Sequence, residues 1–188
     1  MEAWNCWKRN GKRTMRIRPY IESEDYPHIA SWIDNERIHA LWCANRLPYP
    51  ILKENLHKML EQNAVEWTDC AYVATENDGT AIGFFVYSVD TSNNAGFFKF
   101  VIVDQRKRGK GYGQAMMRLA VKYAFEITGA EFVQLNVFDE NAAAKHCYEK
   151  AGFTQRSITK NAFPYQDELW SRCNMIISKG VWGGREDS

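Results

Sequence analysis

The sequence predicts an α/β domain, more narrowly an α+β fold on a mixed sheet, and three observations predict it. Before Cys70 the apolar spacing is mainly helical, with Ile29, Trp32 and Ile33 on one face. From Cys70 the period changes to β-rich runs broken by turn residues, among them the Asp78-Gly79 pair, a strong hairpin signal. The remainder alternates helix, strand, helix and two strands. A chain of 188 residues fits one compact domain, taken as 15–179, with a loose extension at 1–14 and a flexible, Gly-rich tail at 180–188.

In order, residues 15–19 read as a strand, and Ser23 reads as the N-cap of a helix reaching about 34, with Glu24 and Asp25 in its first turn. A second helix spans about 35–44, Pro48 and Pro50 break the pattern, and a third covers about 52–62. Strands are expected at 71–75, 81–89 and 96–103, an antiparallel-looking meander. A helix at about 111–128 carries Ala115, Leu119, Ala120, Tyr123, Ala124 and Ile127 at helical spacing and ends at Gly129. A strand at 131–138, a helix at 141–151 closed by Gly152, and strands at 153–159 and 169–178 around a loop containing Pro164 complete the domain.

Composition narrows the function classes. The formal net charge is +1, so no whole-molecule field recruits nucleic acid or a membrane surface, and neither is expected as a partner. No run of the ~18 apolar residues that a membrane-spanning helix needs occurs. Residues 1–14 lack the continuous apolar core and cleavage site of a signal peptide. Five scattered cysteines, without a C-x-x-C pair, point to a reducing compartment, and the expected location is cytoplasmic. His28, His39, His57 and His146 form no ligand pattern, and no metal is expected.

The most informative segment runs from Val103 to Gln114, leaving a strand and opening a helix. Glycines let a backbone approach an anion, and the first amides of a helix point at it with the macrodipole behind them. Gly109, Gly111 and Gly113 therefore suit a diphosphate. A P-loop needs Lys followed by Ser or Thr, and the dinucleotide fingerprint needs a glycine at residue 114; Tyr112 and Gln114 meet neither requirement. A ligand-free basic surface loop, or a nucleic-acid patch of Arg106, Lys107, Arg108 and Lys110, is the competing reading.

Here the chain resembles the GNAT superfamily of acetyltransferases, whose signature of Arg or Gln, two residues, Gly, one residue, then Gly or Ala is matched by Arg108, Gly111 and Gly113. A second segment carries Val137, Asn141, Ala144, Tyr148, Gly152 and Phe153 in the family's order and spacing. The resemblance implies a GNAT-like fold, a mostly antiparallel twisted sheet of about six to seven strands with helices on both faces. It also implies acetyl-coenzyme A as cosubstrate, transferring its acetyl group to a primary amine by direct attack in a ternary complex.

By the same resemblance, Arg108, Gly109, Lys110, Gly111, Tyr112, Gly113 and Gln114 hold the coenzyme A pyrophosphate. Val101, Ile102 and Val103 pair with the pantetheine and offer an amide to the thioester oxygen, and Asn136 and Asn141 also contact the cofactor. Tyr148 protonates the departing thiolate. Read singly, Asn141 is a helix cap and Tyr148 a core aromatic; together they lie seven residues apart on one helix face.

An alkyl ammonium, with a pKa near ~10, has to lose a proton before it attacks. Some relatives carry a glutamate in the strand before the loop, but residues 96–103 hold only Lys99. Glu66, Asp104, Asp167 and Glu168 are the alternatives, each also readable as surface charge. The family locates the acceptor pocket at about 32–56 and 161–169, where Trp42, Tyr49, Phe163, Tyr165 and Trp170 read either as core or as its walls. Glu54, Glu61, Glu66, Asp167 and Glu168 would make an acidic mouth for a polyamine or aminoglycoside, while Arg37, Arg46, Lys53 and Lys58 dilute it; a small amine or a protein N-terminus is the other acceptor class. A coenzyme A sensor without turnover is the alternative function, and a monomer or a homodimer paired through the apolar last strand at 175–177 the expected assembly.

Overall fold

A computed structural model describes residues 15–183; the expected extension at 1–14 and residues 184–188 lie outside it. The strands are β1 (Met15–Pro19), β2 (Cys70–Glu76), β3 (Ala81–Asp90), β4 (Ala95–Val103), β5 (Phe132–Phe138), β6 (Thr154–Tyr165) and β7 (Glu168–Ser178). The helices are α1 (Glu22–Trp32), α2 (Glu36–Cys43), α3 (Lys53–Trp67), α4 (Tyr112–Glu126), α5 (Ala142–Ala151) and α6 (Lys179–Gly183). All strands join one sheet in the order β1-β2-β3-β4-β5-β7-β6. Every neighbouring pair is antiparallel except β4 and β5.

Helices cover both faces. On one, α4 and α5 bury Met116, Met117, Val121, Phe125 and Tyr148 against Phe85, Phe98, Val133 and Met175. On the other, Ile29 and Trp32 of α1 and Trp42 of α2 pack on Val73, Phe84, Val86 and Ile102. β3 is buried along most of its length because it is covered on both sides, which is why its sequence is almost continuously apolar. A smaller cluster of Ala40, Phe138, Tyr165 and Trp170 ties α2 to the β6–β7 hairpin. Arg37 completes that tie, donating from both terminal guanidinium nitrogens to the two Glu168 carboxylate oxygens and stacking 5.1 Å over Trp170.

Several expectations need correction. Ser23 does not cap α1; the buried Asp25 carboxylate accepts from the Ile21 amide at 2.7 Å and is gripped by Arg18 at 2.7 and 2.8 Å. The Pro164 loop is strand: Pro164 pairs with Leu169, and only Gln166 and Asp167 turn the hairpin. Proline is tolerated there because β6 lies at the sheet edge, where a missing N–H removes no ladder bond. β7 is paired on both sides, with Met175 and Ile177 buried, so the last strand offers no edge for a dimer and β6 does. The tail expected at 180–188 begins as helix α6, whose Trp182 meets Phe125 at 6.3 Å between ring centroids. α3 extends to Trp67, past the expected end at 62.

Trp170 is fully buried, with Tyr165, Phe138 and Phe163 rings at 4.5, 5.4 and 5.6 Å. Trp170→Ala is expected to lower the free energy of urea unfolding by about 3–5 kcal/mol. The Glu168 carboxyl is held below its ordinary range, first by Arg37 and then by the Trp170 indole N–H. A lowered folded-state pKa adds stability that is present above the unfolded-state value and is lost as pH falls through the folded one. In acid titrations of stability, Glu168→Gln is therefore expected to flatten the fall below roughly pH 4.3.

Candidate active site

The site begins with a change of face in β4. Strict alternation would put Phe98 and Phe100 on the same side of the sheet. Instead Phe98 packs with the α4 layer and Phe100 with the α1–α2 layer. Between them the β3–β4 register slips: Val86 faces Lys99 and Phe84 faces Ile102, leaving two β4 residues, Phe100 and Val101, opposite Phe85. This β-bulge holds Phe100 at φ 50°, a left-handed conformation that a non-glycine residue adopts at a cost of about 1–3 kcal/mol. The Trp42 indole N–H donates to the Phe100 carbonyl at 2.8 Å.

The bulge coincides with the end of β4–β5 pairing. The parallel register covers Ala95–Phe98 against Phe132–Leu135 and stops. β4 continues to Val103 on β3, and β5 continues to Phe138 on β7, so the two strands part into a wedge. Val101, Ile102 and Val103 form one wall, and Asn136 belongs to the other, its side-chain carbonyl accepting from Asn174 at 3.1 Å.

Beyond Val103 the chain turns through the glycine loop into α4. Gly109 and Gly111 have φ 72° and 82°, and no atom lies within 4 Å of where their Cβ atoms would stand, so backbone conformation selects glycine there. Gly111 is the N-cap and offers no side chain to the first turn; the first intrahelical bond is Ala115 N–H to Gly111 O at 3.0 Å. The Gly113 and Gln114 amides precede it and point out of the helix start. At Gly113 a Cβ would stand 3.0 Å from the Cys147 sulfur and 3.7 Å from Val103, which shows how closely β4, α4 and α5 converge. The Gln114 side chain donates to the Lys150 carbonyl at the end of α5, at 3.2 Å.

Much of the loop's basic character is engaged in bracing it. Arg106 grips Asp104 at 2.8 Å, Lys107 reaches Glu76 at 2.7 Å, Lys110 donates to the Arg106 carbonyl and Arg108 to the Val103 carbonyl. Tyr112 turns its ring into the core, under the Lys107 ammonium at 5.3 Å, and its hydroxyl to Glu76. Asn141 caps α5, accepting from the Ala144 amide at 3.2 Å. Tyr148 is 6% exposed, and burial raises its phenol pKa, so the hydroxyl keeps its proton through neutral pH. Burial likewise pushes the neighbouring Cys147 thiol up to about 11.

A cleft of about 880 Å³ opens on the α1–α3 face, lined by Trp42, Phe100, Asn136, Phe138 and Phe163 around the wedge. Tyr165 and Trp170 are core beneath it, and Tyr49 sits against His39. Of the four carboxylates considered as base, Glu66 alone lines the cleft. Asp104 is taken by Arg106, Glu168 by Arg37, and Asp167 is exposed in the hairpin turn. Arg46 and Lys99 also line the cleft, and two charges unforeseen from the sequence join them: Asp90 and Arg172. Lys99 is paired at 2.7 Å with Asp69, which is buried at the end of α3. No group of three or more His, Cys, Asp and Glu side chains among the described residues is placed to hold a metal ion.

Comparison with known proteins agrees with this geometry. A family model described as the Acetyltransferase (GNAT) family matches residues 19–153. The spermidine N(1)-acetyltransferase of Vibrio cholerae is 24% identical over 163 residues, 84% of this chain and 90% of that protein. An uncharacterized N-acetyltransferase of Methanocaldococcus jannaschii is 30% identical over 92 residues, 49% of this chain and 57% of that one. Among solved structures, the V. cholerae spermidine N-acetyltransferase in complex with CoA and spermine superposes with a TM-score of 0.77 at 20% identity, covering 89% of this chain and 97% of that chain. The family match spans the wedge, the glycine loop and Tyr148 of α5, and the chain belongs to the GNAT family of acetyltransferases.

Proposed function

We propose that the protein transfers the acetyl group of acetyl-coenzyme A to a primary amine by direct attack in a ternary complex. The observation that carries this is the wedge between β4 and β5, which ends at a glycine-capped helix start on one side and opens into the cleft on the other. Acetyl-coenzyme A supplies the acetyl group as a thioester; the remaining roles fall to this chain. The amides from Gly109 to Gln114 take the pyrophosphate at the positive end of α4, whereas the expected Arg108 amide is bonded to the Gln105 carbonyl at 3.3 Å. Backbone groups of Val101, Ile102 and Val103, unpaired toward β5, bond the pantetheine and stabilise the developing negative charge on the thioester oxygen. Asn136 and Asn141 flank that path on β5 and at the start of α5.

Tyr148 delivers a proton to the leaving sulfur, a role consistent with a phenol whose burial keeps it protonated. Glu66, on the cleft wall, is the residue to accept the amine's proton, directly or through water. The acceptor is read as an amine bound in the cleft, with polyamines first on the panel because relatives that cover most of this chain are spermidine acetyltransferases. Cys43, Cys70, Cys147 and Cys173 are free thiols, which supports a reducing compartment such as the cytoplasm.

The test is calorimetric titration with acetyl-coenzyme A, followed by thiol release in the presence of spermidine, spermine, an aminoglycoside and a peptide with a free N-terminus. Binding with amine-dependent release is expected; absence of binding would overturn the proposal. Tyr148→Phe is expected to reduce kcat by about 10²–10⁴-fold while leaving acetyl-coenzyme A affinity within a few-fold. Gly111→Ala, which forces a Cβ onto φ 82°, is expected to weaken acetyl-coenzyme A binding by about tenfold. Gly129→Ala, at φ 73° beyond the C-terminal end of α4 and so away from the glycine loop, is expected to reduce thermal stability with affinity unchanged.

A further inference from the structure

The Phe100 bulge is held from outside its own sheet. Trp42, near the C-terminal end of α2, is 8% exposed and donates its indole N–H to the Phe100 carbonyl at 2.8 Å. Its ring packs on Phe100 at 5.5 Å and on Phe84 of β3 at 6.4 Å, so both strands of the bulge bear on it. The same side chain lines the cleft. α2 is in turn fixed to the β6–β7 hairpin by Arg37 and Glu168, so the indole is presented from a braced helix.

A left-handed phenylalanine persists only when its surroundings over-determine it. Here the ring is enclosed in the α1–α2 core, Phe100 has no register partner on β3, and its carbonyl accepts the Trp42 indole N–H. Released, the chain from Phe100 to Val103 would relax toward regular alternation, swinging Phe100 toward the face occupied by Phe98 and closing the divergence from β5.

We propose that Trp42 is a positioning residue for acetyl transfer: its indole N–H fixes the Phe100 carbonyl and so aims the backbone of Val101 to Val103 at the thioester oxygen. Because its ring also forms part of the cleft wall, an acceptor seated there rests on the group that sets the oxyanion-binding amide. This role rests on the transfer reaction proposed above.

Trp42→Phe keeps an aromatic ring while deleting the donor and the part of the indole that carries it, so it tests the hydrogen bond together with the packing beside it. Tyr72→Phe, which deletes a hydroxyl pair with Tyr123 at 2.8 Å between β2 and α4, controls for loss of a structural hydrogen bond. Each variant is compared with the wild type for acetyl-coenzyme A affinity by calorimetry, for kcat and KM with the fastest amine of the panel, and for amide hydrogen exchange of residues 100–103. Trp42→Phe is expected to lower kcat by about 10–100-fold, to leave acetyl-coenzyme A affinity within about threefold and to accelerate exchange at 100–103. Tyr72→Phe is expected to leave kcat and that exchange unchanged. A wild-type kcat in Trp42→Phe, or an equal fall in Tyr72→Phe, overturns the positioning role. Wild-type exchange at 100–103 overturns it even if no amine supports turnover, an outcome that would separately remove the transferase reading.

Discussion

β4 is asked to serve two neighbours that it cannot follow together. It pairs with β3 along almost its whole length but with β5 only as far as Phe98. The bulge at Phe100 resolves the conflict by rotating the second half of the strand, and a sheet that would otherwise be continuous acquires a slot with backbone polar groups along its rim. Those groups are what a thioester-bearing arm needs: donors and acceptors already aimed, with no side chain to rearrange during reaction. The flanking layers respond to the same rotation. The α1–α2 core closes over Phe100 and Ile102, while the α4–α5 core takes Val101 and Val103.

The loop after β4 extends this logic from strand to helix. Three of its positions are glycine for two different reasons: positive φ at Gly109 and Gly111, and close approach of Cys147 at Gly113. Its cations are largely held by Asp104, Glu76 and loop carbonyls, so the loop's shape is fixed before any anion arrives. Preorganisation of this kind lowers the entropy lost on binding. Gln114, reaching the end of α5, links the loop to the helix that carries Tyr148.

Most of the architecture was legible because its signals are local. Period-two runs, the Asp78-Gly79 turn, Asn141 as a cap and Gly152 as a stop all describe interactions within a few residues. The failures share a physical cause. Pro164 reads as a break only until β6 is known to be an edge strand, and the Asp25 cap is visible only when Arg18 is brought beside it. The bulge left no trace at all, since phenylalanine at 100 is a residue that alternation would place in a strand without comment. Trp42 and Trp170 read alike in sequence, yet one lines the cleft and the other lies beneath it in the core.

The same reasoning bears on Lys99, which occupies the strand where a carboxylate was sought. A free lysine at the wedge would repel an incoming ammonium. Its pairing with the buried Asp69 makes the local charge close to neutral, and it lies 5.9 Å from the Trp67 ring centre, so the cation is held on the α3 side of the cleft. The carboxylate that family logic would put on β4 has in effect been replaced by an ion pair whose acidic member comes from the α3–β2 connection. Carboxylates still face the cleft, but from its rim: Glu66 on α3 and Asp90 at the end of β3, opposed by Arg46 and Arg172. These rim charges therefore come from α3, β3, β7 and the connection after α2, and it is the fold, not any local stretch of sequence, that brings them together.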